Sequence, residues 1–84
     1  MHQYLIMCRS LTYAQRAAVA LERAGITVAT ARAPQELTDG GCGYCIKVSE
    51  RRFHEALKVL EKFNLPCGRI YRKGPGEAYT EVLR

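Results

Sequence analysis

Residues 44–63, YCIKVSERRFHEALKVLEKF, change their period in mid-stretch, and that change decides the fold. Tyr44, Ile46 and Val48 alternate with Cys45 and Lys47, the two-residue period of a strand with one apolar face. From Phe53 onward the spacing becomes three and four: Phe53, Ala56, Leu57, Leu60 and Phe63 make the buried stripe of a helix. Ser49 stands at the junction as the helix cap, and Asn64 with Pro66 ends the helix. Gly68 to Arg72 follows as another strand, which completes a strand–helix–strand unit.

The same unit is present earlier in the chain. Tyr4 to Cys8 (YLIMC) is a short apolar strand, and Ala14, Ala17, Ala18, Leu21 and Ala24 then recur at helical spacing. Ser10 or Thr12 caps that helix and Gly25 stops it. Ile26 to Ala31 is a weaker strand closed by Pro34. Two such units predict an α+β domain, a ferredoxin-like βαββαβ two-layer sandwich. Its four-stranded antiparallel sheet has strands one and three central and both helices on one face. Ala17, Leu21, Ile46, Val48, Leu57 and Leu60 are the expected core, with Lys47 outside it. The domain is expected over residues 1–73, and 74–84, opening with Gly74-Pro75-Gly76, is expected to be a Gly/Pro break and a C-terminal tail.

Eighty-four residues allow a single small domain, which buries about 60–65% of its unfolded surface. With 48% hydrophobic and 25% charged residues the chain has a globular composition, and disorder is excluded as its main state. No apolar run approaches the roughly 20 residues of a membrane span, so a cytoplasmic protein with no membrane association is expected. Thirteen Lys and Arg against eight Asp and Glu leave a charge of +5. The basic residues are scattered, and no aromatic and basic pattern of an RNA-binding sheet is present, so nucleic acid is not an expected partner.

Cysteine is over-represented: Cys8, Cys42, Cys45 and Cys67. The predicted topology brings all four to one end of the sheet, together with the start of the first helix, Arg9 and Arg32. A helix N-terminus and guanidinium groups favour a thiolate. Cys42 is the candidate nucleophile or acceptor, because Gly41 and Gly43 allow close backbone approach and present N–H groups to an anion. It is expected within about one turn of the helix start, partly exposed, with Arg9 or Arg32 roughly 4–6 Å away. Cys8 and Cys67 have a plain reading as packed side chains, and Cys45 as an incidental thiol on the uncovered sheet face. Cys42 and Cys45 form one CxxC, but the pair opens a strand rather than a helix. A second close-spaced pair, which structural zinc would want, is missing, so no metal is assigned. Neither His2 nor His54 has a nearby acid or nucleophile that would make a triad, no phosphate loop is present, and no cofactor is expected.

Tyr4-Leu-Ile-Met-Cys-Arg-Ser10, the helix ending Leu21-Glu-Arg-Ala-Gly-Ile26, Arg32-Ala-Pro34 and above all Gly41-Cys-Gly-Tyr44 resemble the selenium/sulfur (Se/S) carrier protein-like family of small bacterial domains. The resemblance spans roughly Tyr4 to Tyr71. It implies a single cysteine, here Cys42, that carries sulfur or selenium as a persulfide or selenosulfide. Cys45 is not part of that motif, and its presence leaves open a local disulfide with Cys42 or a role as resolving thiol.

A sulfur or selenium carrier is therefore the leading expectation, with a donor such as a cysteine desulfurase and an acceptor enzyme as partners. Gly41, Gly43, Ser10, Arg9 and Arg32 would bind and stabilise the anionic sulfur on Cys42. A carrier needs no acid/base set, and a complete active site on this chain alone is not expected. The alternative is a non-catalytic interaction or regulatory module, and pairing into a homodimer is open in either case.

Overall fold

The computed structural model describes residues 2–37, 43–65, 68–76 and 78–82. Strand β1 (Gln3–Cys8) leads into helix α1 (Leu11–Arg23), followed by β2 (Ala29–Arg32) and β3 (Tyr44–Ser49). Helix α2 (Phe53–Lys62), β4 (Ile70–Lys73) and β5 (Thr80–Val82) complete the chain. Among the described residues these five strands form one antiparallel sheet in the order β2-β3-β1-β4-β5. The first four strands keep the expected arrangement, with β1 and β3 inside. The expectation of four strands is corrected: β5 pairs with β4, Ile70 opposite Val82 and Arg72 opposite Thr80. No alternating apolar run announces so short a strand, and its residues become a strand only because β4 offers an open edge.

Both helices lie on one face. Ala14, Ala17 and Leu21 of α1 and Phe53, Ala56 and Leu60 of α2 share a core with Ile6, Cys8, Ile46, Val48 and Ile70 of the sheet. Tyr4 stacks on Phe53 with ring centroids 3.8 Å apart, tying β1 to the start of α2. The Ala-rich face of α1 allows its backbone to lie close on the sheet. Leu57 is half-buried at the margin of this core, and Lys47 points to the opposite face, as its register requires.

That opposite face is not bare. Leu5, Cys45 and Tyr71 form a second, smaller core, with Met7, Ala31, Ala33, Leu37 and Tyr79 packed against it. Leu37 comes from a single 3-10 turn (Gln35–Leu37) and Tyr79 from the segment before β5. Each of the two cores takes alternate residues of β1 and β3.

The helix ends explain the connections. Ser10 Oγ accepts a hydrogen bond from Tyr13 N–H at 3.3 Å, capping α1 as expected. At its other end Gly25 N–H donates to the Glu22 carbonyl and Ile26 N–H to the Leu21 carbonyl, a Schellman closure with Gly25 at φ +84°. Helix α2 closes in the same way on Asn64, at φ +56°, with Leu65 N–H donating to the Leu60 carbonyl. The assignment of Ser49 as a side-chain cap is corrected. Its hydroxyl makes no capping bond, and a 3-10 turn (Glu50–Arg52) precedes Phe53. The Glu50 carboxylate instead accepts from His2 N–H at 3.1 Å, which holds it below the usual carboxylate range.

A Cβ at Gly25 would meet nothing within 4 Å, so only the left-handed backbone resists substitution there. Gly25→Ala should cost about 1 kcal/mol, read as a lower urea midpoint at unchanged slope. Asn64→Gly, at an equivalent turn already held by a residue that tolerates positive φ, should change stability by less than about 0.5 kcal/mol.

Candidate functional site

The sheet gathers Arg9, Ser10, Arg32 and Gly43 of the expected anion-binding residues at one end. Cys8 ends β1, so Arg9 and Ser10 follow it into the first turn of α1. Tyr44 pairs with Cys8, and Arg32 pairs with Tyr44, forming a row across three strands on the helix-bearing face. Gly43 is fixed next to that row, its carbonyl accepting from Ala33 N–H at 3.0 Å. Gly68 is tied to the same end from the other side of β1, donating its N–H to the Met7 carbonyl at 2.8 Å. A Cβ at Gly68 would stand 3.2 Å from that carbonyl oxygen, tighter than an ordinary contact, so a larger residue would have to push the two segments slightly apart. Gly68 was not singled out as a site residue; its only signal is its position directly after Pro66-Cys67.

This end of the molecule carries exposed positive charge. Arg9 and Arg32 are exposed, and the first turn of α1 holds no acidic residue. Arg9 lies over the Tyr13 ring, 5.8 Å from its centroid, which steadies a side chain that would otherwise move freely in solvent. The helix N-terminus adds its partial positive charge to the two guanidinium groups.

The cysteines fall into two groups. Gly41, Cys42 and Cys67 lie outside the described residues, and with them the expected placement of Cys42 beside α1, its exposure and its distance from Arg9 or Arg32. Cys8 and Cys45 are buried thiols. They sit at the same end of the sheet, as expected, but on opposite faces: Cys8 in the helix-covered core, its Sγ 3.8 Å from the Ile6 carbonyl, and Cys45 in the second core. The reading of Cys45 as a thiol on an uncovered face is corrected. It is 0% exposed within the second core, against which Ala31, Ala33 and Leu37 pack, and burial pushes its pKa up, an effect that the nearby Lys47 ammonium only partly offsets. As folded, Cys45 presents no accessible sulfur for a resolving role. The covering residues were not foreseen because Leu37 is a lone apolar residue in a polar loop and Tyr79 lies beyond the Gly74-Pro75-Gly76 break.

Among the described residues no three His, Cys, Asp or Glu side chains converge as metal ligands. Among them, too, no helix is long and apolar enough to cross a membrane.

A small α+β domain with a basic, glycine-bordered end to its sheet is the class defined by these observations. The chain belongs to the family described as "Putative Se/S carrier protein-like", whose profile matches residues 3–72. No curated protein matches it.

Because the Cys45 pKa is raised by folding, its share of stability is complete below the ordinary thiol value near 9.0 and is lost as pH rises from there toward the folded value. Urea unfolding between about pH 8 and pH 10 should therefore show a falling midpoint. Cys45→Ala, although less stable at neutral pH, should show a shallower fall. In the native protein Cys8 and Cys45 should resist iodoacetamide and become reactive only on unfolding.

Proposed function

We propose that this protein is a sulfur or selenium carrier in which Cys42 holds the transferred atom. The observation that carries the reading is the family match over residues 3–72, which includes Gly41-Cys42-Gly43. Physical support comes from the surroundings of that segment in the chain. Gly43 is anchored beside the Cys8–Tyr44 pair, at the sheet end that also bears Arg9, Arg32 and the Ser10-capped start of α1. The burial of Cys8 and Cys45 removes two competing nucleophiles from the surface.

The Cys42 thiolate attacks the terminal sulfur of a persulfide on a donor such as a cysteine desulfurase. A new S–S bond forms on Cys42 while the donor's S–S bond breaks, and the donor cysteine leaves as thiolate. An acceptor enzyme then takes the terminal sulfur, and Cys42 returns as thiolate. No external oxidant or reductant enters the step. Arg9, Arg32, Ser10 and the N–H groups beside Gly41 and Gly43 stabilise the anion in both forms. A selenium cargo follows the same path through a selenosulfide.

Incubation with a cysteine desulfurase and cysteine should add the mass of one sulfur atom, mapped to Cys42 and removed by a reducing thiol. Cys42→Ser should abolish the gain and leave the circular dichroism spectrum and urea midpoint almost unchanged. Cys42 should also be the first thiol alkylated at neutral pH, and Arg9→Ala with Arg32→Ala should slow that alkylation by roughly two- to fivefold as the thiolate loses its counter-charges. Uniformly slow labelling of every cysteine would refute the carrier and leave the interaction module as the better reading.

A further inference from the structure

A groove of about 520 Å³ runs along the outer side of α1, from Thr12 in its first turn to Arg23 in its last. Val19 and Ala20 of α1 form one wall, and Phe63 and Leu65, at the closing turn of α2, form the other. Val19 is 48% exposed and Phe63 55% exposed, two of the three large apolar side chains on the surface among the described residues. Phe63 is a further correction to the expected core. Its spacing after Leu60 fits the buried stripe, but α2 stops at Lys62, and as the C-cap residue Phe63 turns into the groove instead. Val19 and Phe63 thus share one groove instead of standing singly on the surface.

The charged side chains that line the groove are of one sign. Its charged lining residues are Arg16 and Arg23, with no acidic residue among them, and Lys62 Nζ adds a cation 5.7 Å from the Phe63 ring. Arg16 and Arg23 are seven residues apart on α1, so they stand on the same side about 10 Å from one another. A second copy of this chain fits poorly, because isologous pairing would bring the arginines of both copies together on a protein already at +5. An amphipathic helix fits well: its apolar stripe covers Val19 and Phe63, and carboxylates two turns apart along its flank match Arg16 and Arg23.

We infer that this groove docks an acidic amphipathic helix of a partner protein. The inference does not depend on the chemistry of Cys42, and a cysteine-free probe keeps the two readings separable. The probe is a synthetic 18-residue helix with Leu along one stripe and Glu on both flanks, titrated into the full ¹⁵N-labelled chain. Amide shifts are expected along Arg16–Arg23 and around Phe63–Leu65, and binding is expected to weaken as salt is raised. The same helix with Lys in place of Glu should bind about tenfold more weakly or worse. The double variant Arg16→Glu/Arg23→Glu, which changes only surface residues, should lose affinity for the Glu helix by a similar factor and gain affinity for the Lys helix. Val19→Asp should abolish both at an unchanged far-ultraviolet spectrum. Shifts centred elsewhere, equal binding of the Glu and Lys helices, or indifference to the double variant would overturn the proposal. So would vesicles of anionic phosphatidylglycerol shifting the groove amides when the Glu helix does not, which would identify a lipid surface instead.

Discussion

Everything in this fold leans on β1. It is the strand paired along its length with β3 on one side and with β4 on the other, and its consecutive residues Leu5 and Ile6 are both sealed from solvent on opposite faces. A strand buried on both faces tolerates no slip in register, because a shift of one residue would exchange the contents of the two cores. The six-residue pairing with β3, from Gln3 opposite Ser49 to Cys8 opposite Tyr44, therefore fixes more than a sheet. It sets which side chains meet the helices and which meet the 3-10 turn and Tyr79 on the back.

That register also builds the candidate site. Because β1 ends at Cys8, the chain must turn at Arg9 and Ser10, and α1 begins where β3 starts and where Gly68 crosses beside Met7. Four separate parts of the sequence reach one end of the sheet without any of them being close in the chain. Their shared property is polar backbone and positive charge, which suits an anion. The apolar groove runs from this end along the outside of α1, so one helix supplies both a positively charged terminus and a docking flank.

Much of this was legible in the residues. The switch of period between Tyr44 and Phe63, the Gly25 and Asn64 stops and the alternation that put Cys45 and Val48 on opposite sides all correspond to local physics, and the structure keeps them. Central strand order followed from short connections and crossover handedness. What escaped the reading was set by tertiary partners. Thr80–Val82 has no strand pattern of its own and needs the edge of β4. Leu37 and Tyr79 are single apolar residues without periodicity, so a core built from them has no signature in sequence. Phe63 obeyed the helical period one step past the point where the helix stops. For the site, residue types and topology were enough to bring Arg9, Ser10, Arg32 and Gly43 to one end, and the burial of Cys45 was not foreseen for the same reason as the back core itself.

The division of Cys8 and Cys45 between the two faces has a kinetic consequence. They belong to neighbouring rungs of the β1–β3 ladder, Cys8 with Tyr44 and Met7 with Cys45, yet a continuous sheet of hydrogen-bonded backbone stands between their sulfurs. Thiol–disulfide exchange needs a nucleophile in line with the sulfur it attacks, and the intact sheet denies that approach. Shuffling between these two thiols must wait for β1 and β3 to part. Opening of a central strand pair belongs to the slowest, most global class of fluctuation, so the rate at which sulfur passes between Cys8 and Cys45 is set by unfolding rather than by thiol chemistry.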